Sequence, residues 1–316
     1  MNLWGNQRPF WVEKLGQLWK LVRESHAQPL AGEAGLPVPV AEGETGVMFL
    51  GHSSFLLSFG ARSVLIDPVF STRLVLLRRQ RRPGVRVADL PALDVVLVTH
   101  AHMDHLNRVT LRRVARATRR LTGQGPVIIV PRGVEDLVAG LGFREVRTLE
   151  WWQSTTLEAS PESRDRADEL RVTLTPSKHW GARMFRDTHR GFGGYMIEQG
   201  EEKIYHSGDT AYFGGFREIR QRLGAPRVAL MPIGAYFPDS YRAVHTSPEE
   251  AIQAFCDVGA ERMVPMHFGT FRLGREPMDE PVKRLVAEAA RRGIVERVRV
   301  LREGETMLLD AAAVLA

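Results

Sequence analysis

A chain of 316 residues, 44% apolar and 25% charged, is long enough to bury a large core without covalent staples. Its single cysteine, Cys256, excludes an intrachain disulfide and any cysteine-built zinc site, and fits a reducing compartment. The net charge of +6 favours anionic partners, and no stretch reaches the roughly 20 apolar residues of a membrane span.

The first five residues, from Met1 to Gly5, carry no charged leader region and no long apolar run, so a secretory signal is not expected. The expected location is cytoplasmic, with a peripheral contact at the inner membrane face as an extension of it. Phe10, Trp11, Leu15, Leu18, Trp19 and Val22 recur every three to four residues and predict an amphipathic helix. Pro29, Gly32, Gly35, Pro37 and Pro39 end it in a loop. Residues 1–45 therefore read as a helical extension and 46–316 as the main domain. The helix is expected to pack on that domain, with a dimer contact or a bilayer surface as the alternatives.

Strand signals begin at 47–50 and 55–59, which flank Gly51-His52-Ser53-Ser54. A turn at 60–62 leads to a further strand at 63–66, the pattern of a hairpin. Leu74, Val75, Leu76 and Leu77 are followed by Arg78, Arg79, Arg81 and Arg82. Apolar and basic runs side by side suggest contact with an anionic membrane surface. Inward-packed leucines with acid-paired arginines are the alternative. A strand is predicted at 94–98 and a helix at 107–122. That helix carries Arg108, Arg112, Arg113, Arg116, Arg119 and Arg120, which read as a solvated basic face, with attraction of phosphate headgroups, nucleic acid or acidic metabolites as the alternative. A strand at 126–130, a helix at 133–141 and a strand at 146–149 follow. Further strands are predicted at 171–175, 194–198, 202–206, 228–231 and 263–266, and helices at 247–258 and 280–292. A last strand is predicted at 298–301. Mixed hairpins and helices in each half imply two β-rich layers face to face with helices outside.

The most informative segment is His100-Ala101-His102-Met103-Asp104-His105, directly after an apolar run. In extended backbone alternate side chains share a face, so His100 and His102 can bind one cation. Asp104 and His105 follow where the chain turns and can aim at a second. Imidazole with carboxylate suits Zn²⁺, with Mn²⁺ or Fe²⁺ as alternatives. Two cations need more ligands, and the candidates sit at strand ends: His179, Asp209 and His267.

These positions resemble the metallo-β-lactamase-fold hydrolases, an α/β (α+β) class with a four-layer αββα sandwich and a dinuclear metal site at one edge. The resemblance implies that His100, His102 and His179 hold one metal. It implies that Asp104, His105 and His267 hold the other, with Asp209 between them. Gly51-His52-Ser53-Ser54, Ile66-Asp67-Pro68, Pro176-Ser177-Lys178-His179-Trp180, His245-Thr246-Ser247-Pro248 and Met266-His267-Phe268-Gly269 narrow it further. Together they are similar to the N-acylphosphatidylethanolamine-hydrolysing phospholipase D group and the related ascorbate-6-phosphate lactonases. Tyr205-His206-Ser207 leans to the lactonase side, and Ala101 and Met103 depart from the phospholipase pattern.

What this implies is a metal-dependent hydrolase in which two divalent ions share a bridging hydroxide. The first expectation for its substrate is a small-molecule or lipid phosphodiester. Lactone or acyl hydrolysis is the nearest alternative, and a non-catalytic metal-binding module is the alternative of a different class. Nucleic acid is not expected as a partner, and a homo-oligomer is left open. Asp104 is expected to orient the nucleophile, and His245 to act as an acid or phosphate contact before the helix cap at Ser247. Asp67 is expected behind a ligand histidine, orienting it. His52 is read either as facing the site or as bonded to backbone. Trp151, Trp152 and Trp180 are candidates for the groove wall, with core packing expected for at least one. His206 reads as a satisfied core histidine, and His26 and His189 are given no role.

Overall fold

The computed structural model describes residues 10–41, 43–60, 62–158, 169–184 and 187–309. A seven-stranded sheet is built from β1 (Thr45–Gly51), β2 (Ser54–Phe59), β3 (Arg62–Ile66), β6 (Val95–Leu97), β7 (Val127–Pro131), β8 (Glu145–Leu149) and β15 (Thr306–Leu309). Their order is β15-β1-β2-β3-β6-β7-β8. A small hairpin of β4 (Arg73–Leu74) and β5 (Leu77–Arg78) stands apart. The second sheet holds β9 (Ser154–Leu157), β10 (Leu170–Thr175), β11 (Gly194–Gln199), β12 (Glu202–His206), β13 (Val228–Pro232) and β14 (Arg262–Met266), in the order β14-β13-β12-β11-β10-β9.

Period-two alternation assembles the layers. Val47, Phe49, Val64, Ile66, Val95, Leu97, Val127 and Ile129 of the first sheet share one core with Val172, Leu174, Ile197, Ile204, Leu230 and Val264 of the second. The alternate residues Met48, Leu65, Val96 and Ile128 turn outward and pack under α2 (Arg108–Thr122). On the other side Met196, Tyr205, Ala229 and Met231 pack with residues of α4 (Gly215–Leu223), α5 (Pro248–Val258) and α6 (Glu280–Arg291). This is the expected αββα sandwich. Strands buried on both faces read as continuous apolar runs, which is why β6 and β7 stand out in the sequence.

Several expected elements differ. The helix at 133–141 contracts to α3 (Glu135–Val138), because Gly140 and Gly142 take positive φ. The segment 298–301 packs the half-buried Val298 and Val300 against the helical layer but meets β14 through a single bridge at Met263. The last strand is β15, whose Met307 and Leu309 enter the core beside β1. The short elements β9 and α4 were not predicted, although Phe216, Ile219 and Leu223 of α4 recur at helical spacing.

The N-terminal helix is α1 (Phe10–Ala27). Trp4 lies outside the described residues, as do the side chains of Phe10, Trp11, Leu15 and Leu18. Val22 is buried against Val69, Leu74, Leu77 and Phe271. The Arg78 N–H donates to Ser25 Oγ at 3.0 Å, and Arg272 pairs with Glu24 at 2.6 Å. The described end of the helix therefore docks on the main body. The Arg78–Arg82 run is not a uniform basic surface. Arg79 is fully buried, donates to the Val69 and Arg81 carbonyls and lies over the Phe271 ring, while Arg81 pairs with Glu303. No described helix is long and apolar enough to cross a membrane.

Candidate metal centre

The candidate ligands come from loops at the carboxyl ends of parallel strands, where side chains from distant segments converge. β3 runs into Asp67, β6 into the 99–105 turn, β12 into Asp209 and β14 into His267. The β1–β2 turn adds His52, the loop after β10 adds His179, and the approach to α5 adds His245. The His267 N–H donates to the His52 carbonyl at 2.8 Å, and the His52 N–H donates to Thr270 Oγ1 at 2.7 Å. His52, Asp67 and His267 all take positive φ, at 60°, 42° and 60°. Such backbone costs on the order of 1–3 kcal/mol per residue and persists where surrounding structure holds a site in shape.

Two clusters result. His100, His102 and His179 bring ligand atoms within 4.8 Å of one another, and so do His52, Asp104, His105 and His267. His102 Nδ1 lies 2.9 Å from His100 Nε2 and 3.2 Å from His179 Nε2. Asp209 joins the clusters: its Oδ2 is 3.2 Å from His105 Nε2, 3.0 Å from His267 Nε2 and 3.9 Å from His179 Nε2. Asp104 Oδ2 lies 3.6 Å from His105 Nε2, 3.4 Å from His267 Nε2 and 3.0 Å from His52 Nε2. All seven residues expected as metal ligands are thus brought together, with His52 against Asp104.

Hydrogen bonds turn the rings. His105 Nδ1 donates to Asp67 Oδ2 at 2.7 Å, which aims Nε2 at the centre. Thr99 Oγ1 donates to the same Asp67 oxygen at 2.6 Å and sits 2.9 Å from His100 Nδ1, leaving His100 Nε2 inward. His179 Nδ1 donates to the Val244 carbonyl at 2.9 Å. These contacts fix which nitrogen of each ring is free to coordinate. Thr99 and the Val244 carbonyl were not singled out in the sequence, since nothing local marks them as partners.

Charge follows from burial and proximity. Burial pushes His100 well below the ordinary imidazole range, His179 down to about 3 and His52 and His245 to about 4, and it lowers His102. Burial opposes ionisation of Asp104 and Asp209, yet the surrounding histidines hold both well below the usual carboxylate range. Burial likewise opposes charge on His105 and His267. Asp209 and Asp104 outweigh it, holding His105 well above its usual range and His267 at about 9. Neutral imidazoles and ionised carboxylates are the forms that coordinate a cation, and binding beside His105 and His267 displaces their protons.

The donor set fits divalent cations. Asp209 Oδ1 is buried with no hydrogen-bond partner, and the buried His105 Nε2 and His267 Nε2 face only the Asp104 and Asp209 carboxylates. An unpartnered buried oxygen costs about 1–3 kcal/mol, a penalty that coordination removes. The nitrogen–oxygen set without sulfur suits Zn²⁺, Mn²⁺ or Fe²⁺.

The remaining candidates divide. His245 borders the centre, with Nδ1 3.9 Å from Asp209 Oδ2 and its ring 5.1 Å from that of His179. Ser247 caps α5 through a capping box, so the positive helix end lies beside it. Trp180 packs on His102 and His179, at 4.6 and 4.3 Å between ring centroids, and is 43% exposed at the mouth. Trp151 instead hydrogen-bonds the Phe192 carbonyl, and Trp152 joins the second sheet's outer core, so neither is among the contacts of this centre. His206 donates to the Ser53 carbonyl and accepts from the Gly208 N–H, as a core histidine does.

Comparison with known proteins adds lineage. A family model described as a beta-lactamase superfamily domain matches residues 62–268. An uncharacterized protein of Mycobacterium tuberculosis is 33% identical over 294 residues, 86% of this chain and 72% of its own length. The mitochondrial N-acyl-phosphatidylethanolamine-hydrolyzing phospholipase D of Saccharomyces cerevisiae is 27% identical over 88% of this chain and 60% of its own. Among solved structures, the metallo hydrolase Igni18 of Ignicoccus hospitalis matches with TM-score 0.62 and 25% identity, over 84% of this chain and 98% of its own.

Proposed function

The chain belongs to the beta-lactamase superfamily and is a metal-dependent hydrolase of the metallo-β-lactamase fold; from that premise we propose that it cleaves phosphodiesters in the manner of a phospholipase D, with a dinuclear centre. The observation that carries this is the position of Asp209, one carboxylate within 4 Å of histidines from both clusters. The similarity to the yeast phospholipase D supports the substrate class. Residues 46–316 form the catalytic unit in this reading, and 1–45 an extension.

In this reading His100, His102 and His179 would hold one cation, and Asp104, His105 and His267 the other, with Asp209 placed to serve both. Zn²⁺ is the expected metal. Two such ions would supply Lewis acidity and a water nucleophile at neutral pH. The chain's own residues do the rest. Asp67 and Thr99 hold the His105 and His100 rings in their coordinating orientation. Asp104, itself held by His52, orients the attacking water. His245, kept neutral by its burial, donates a hydrogen bond to a phosphate oxygen, and Trp180 forms one wall of the entrance.

A panel of aryl phosphodiester, N-acylphosphatidylethanolamine and lactone substrates tests the assignment. The phosphodiesters are expected to turn over, and His245→Ala is expected to lower kcat by about a hundredfold at unchanged metal content, the scale of a lost hydrogen-bond donor to the developing charge. Lactone turnover without phosphodiester turnover rejects the reading.

A cytoplasmic enzyme working at the inner membrane face completes the proposal, with the lone Cys256 in keeping with that compartment. The membrane contact rests on fewer groups than the sequence suggested. Leu74 and Leu77 are buried, while Val75 and Leu76 at the hairpin tip and Trp19 on α1 are exposed. Arg79 is interior and contributes no surface charge; Arg73 and Arg82 are exposed. Each exposed basic group is worth about 1 kcal/mol near an anionic surface. Co-sedimentation with anionic vesicles is expected to fall with salt and to drop on combined Val75→Ser and Leu76→Ser substitution. Recovery in the supernatant regardless of vesicles would rule the contact out.

A further inference from the structure

Helix α2 carries a charge pattern that works against its own stability. It has no acidic residue, and Arg108, Arg112 and Arg113 lie toward its positive end. Arg108 and Arg112, Arg112 and Arg116, and Arg116 and Arg120 are like-charged pairs four apart; Arg113 and Arg116, and Arg116 and Arg119, are three apart. Like charges at these spacings face each other on the helix surface and work against the helix. None of these arginines pairs with a carboxylate among the described residues, whereas Arg190, Arg222 and Arg284 elsewhere are each paired. The nearby Asp136 is already held by Arg190.

The pattern has a shaped partner. Arg112, Arg116 and Arg119 fall on one face at spacings of four and three, and they line a cleft of about 290 Å³. Its other wall is Gly140, Leu141 and Gly142. Both glycines stand at positive φ, at 70° and 102°, and bring backbone without side chains to the cleft. No carboxylate and no aromatic ring is among the lining residues. Guanidinium groups present planar forks of donors matched to phosphate oxygens. The absence of a stacking ring disfavours a nucleobase, and a cleft this small disfavours a polymer.

We propose that this cleft is a second ligand site, separate from the metal centre, that takes a compact, multiply charged phosphate group. An anion held there neutralises the repulsion along α2, so binding and helix stability are linked. The site does not depend on the hydrolytic assignment.

The test uses the full-length metallated protein and inorganic phosphate as the probe, with chloride at matched ionic strength as the reference. Melting temperature and metal content are followed in the same samples. Phosphate is expected to raise the melting temperature by about 2 °C at tenfold saturation. The triple variant Arg112→Gln, Arg116→Gln, Arg119→Gln is expected to lose that rise. Without phosphate it should melt no lower than the parent, because the like-charge pairs are gone. Arg120→Gln, outside the cleft, should keep the response. Phosphate reaching the metal centre acts on parent and variant alike, so their difference isolates the cleft. An equal response in parent and triple variant overturns the proposal, as does a variant that melts lower without phosphate. Retention on duplex DNA or anionic vesicles with no phosphate response also overturns it, in favour of an extended polyanion surface.

Discussion

Asp209→Ala is expected to reduce bound metal from about two equivalents to one or fewer and to lower hydrolytic activity by about three orders of magnitude. The carboxylate sits between the two histidine clusters, so its loss weakens both at once. The fold should survive the change, because the side chain lies in a loop beyond β12 and its ion pairs go only to histidines of the centre, which can lose their protons when the carboxylate is removed. Elemental analysis after reconstitution, with circular dichroism on the same samples, makes the measurement. A parent enzyme that holds a single equivalent at full activity would contradict the dinuclear reading. A variant that keeps two would contradict the role of Asp209.

The second large effect is expected at a residue outside the ligand set. Asp67 is fully buried and takes hydrogen bonds from His105 Nδ1, Thr99 Oγ1 and the Thr99 N–H. Asp67→Asn keeps the shape but replaces one carboxylate oxygen with a donor that faces a donor. His105 then loses the contact that aims Nε2 at the centre. Metal affinity is expected to fall by about 10- to 100-fold, the range for lost partners of ligand histidines. A competition titration against a chelator reads this directly, and excess metal is expected to restore much of the activity. Unchanged affinity would mean that the ring is held by packing alone.

The metal loop was legible because its chemistry is local. Four titratable side chains within six residues, after an apolar run, have few uses other than a cation site. The strands of both sheets were legible for a similar reason, since burial on one or both faces leaves a period of two or an unbroken apolar run. Ser247 announced the start of α5 because capping involves residues three apart.

Other features depend on segments that meet only in the folded chain. Asp67 was expected behind a ligand histidine, but nothing near it in sequence says that the ring is that of His105, 38 positions away. The same holds for His52, which reaches Asp104 across 52. Arg78, Arg79, Arg81 and Arg82 look equivalent as a sequence, but only Arg79 is wholly enclosed, by the Val69 carbonyl and the Phe271 ring. Residues 298–301 have a strand's alternation, yet the backbone pairing beside β1 goes to β15. The sequence by itself determined which residues want to be buried and which chemistry they carry, because hydrophobicity and ligand type belong to single side chains. The tertiary structure decided which of them become partners, because strand order and loop convergence depend on contacts between segments that local propensity does not encode.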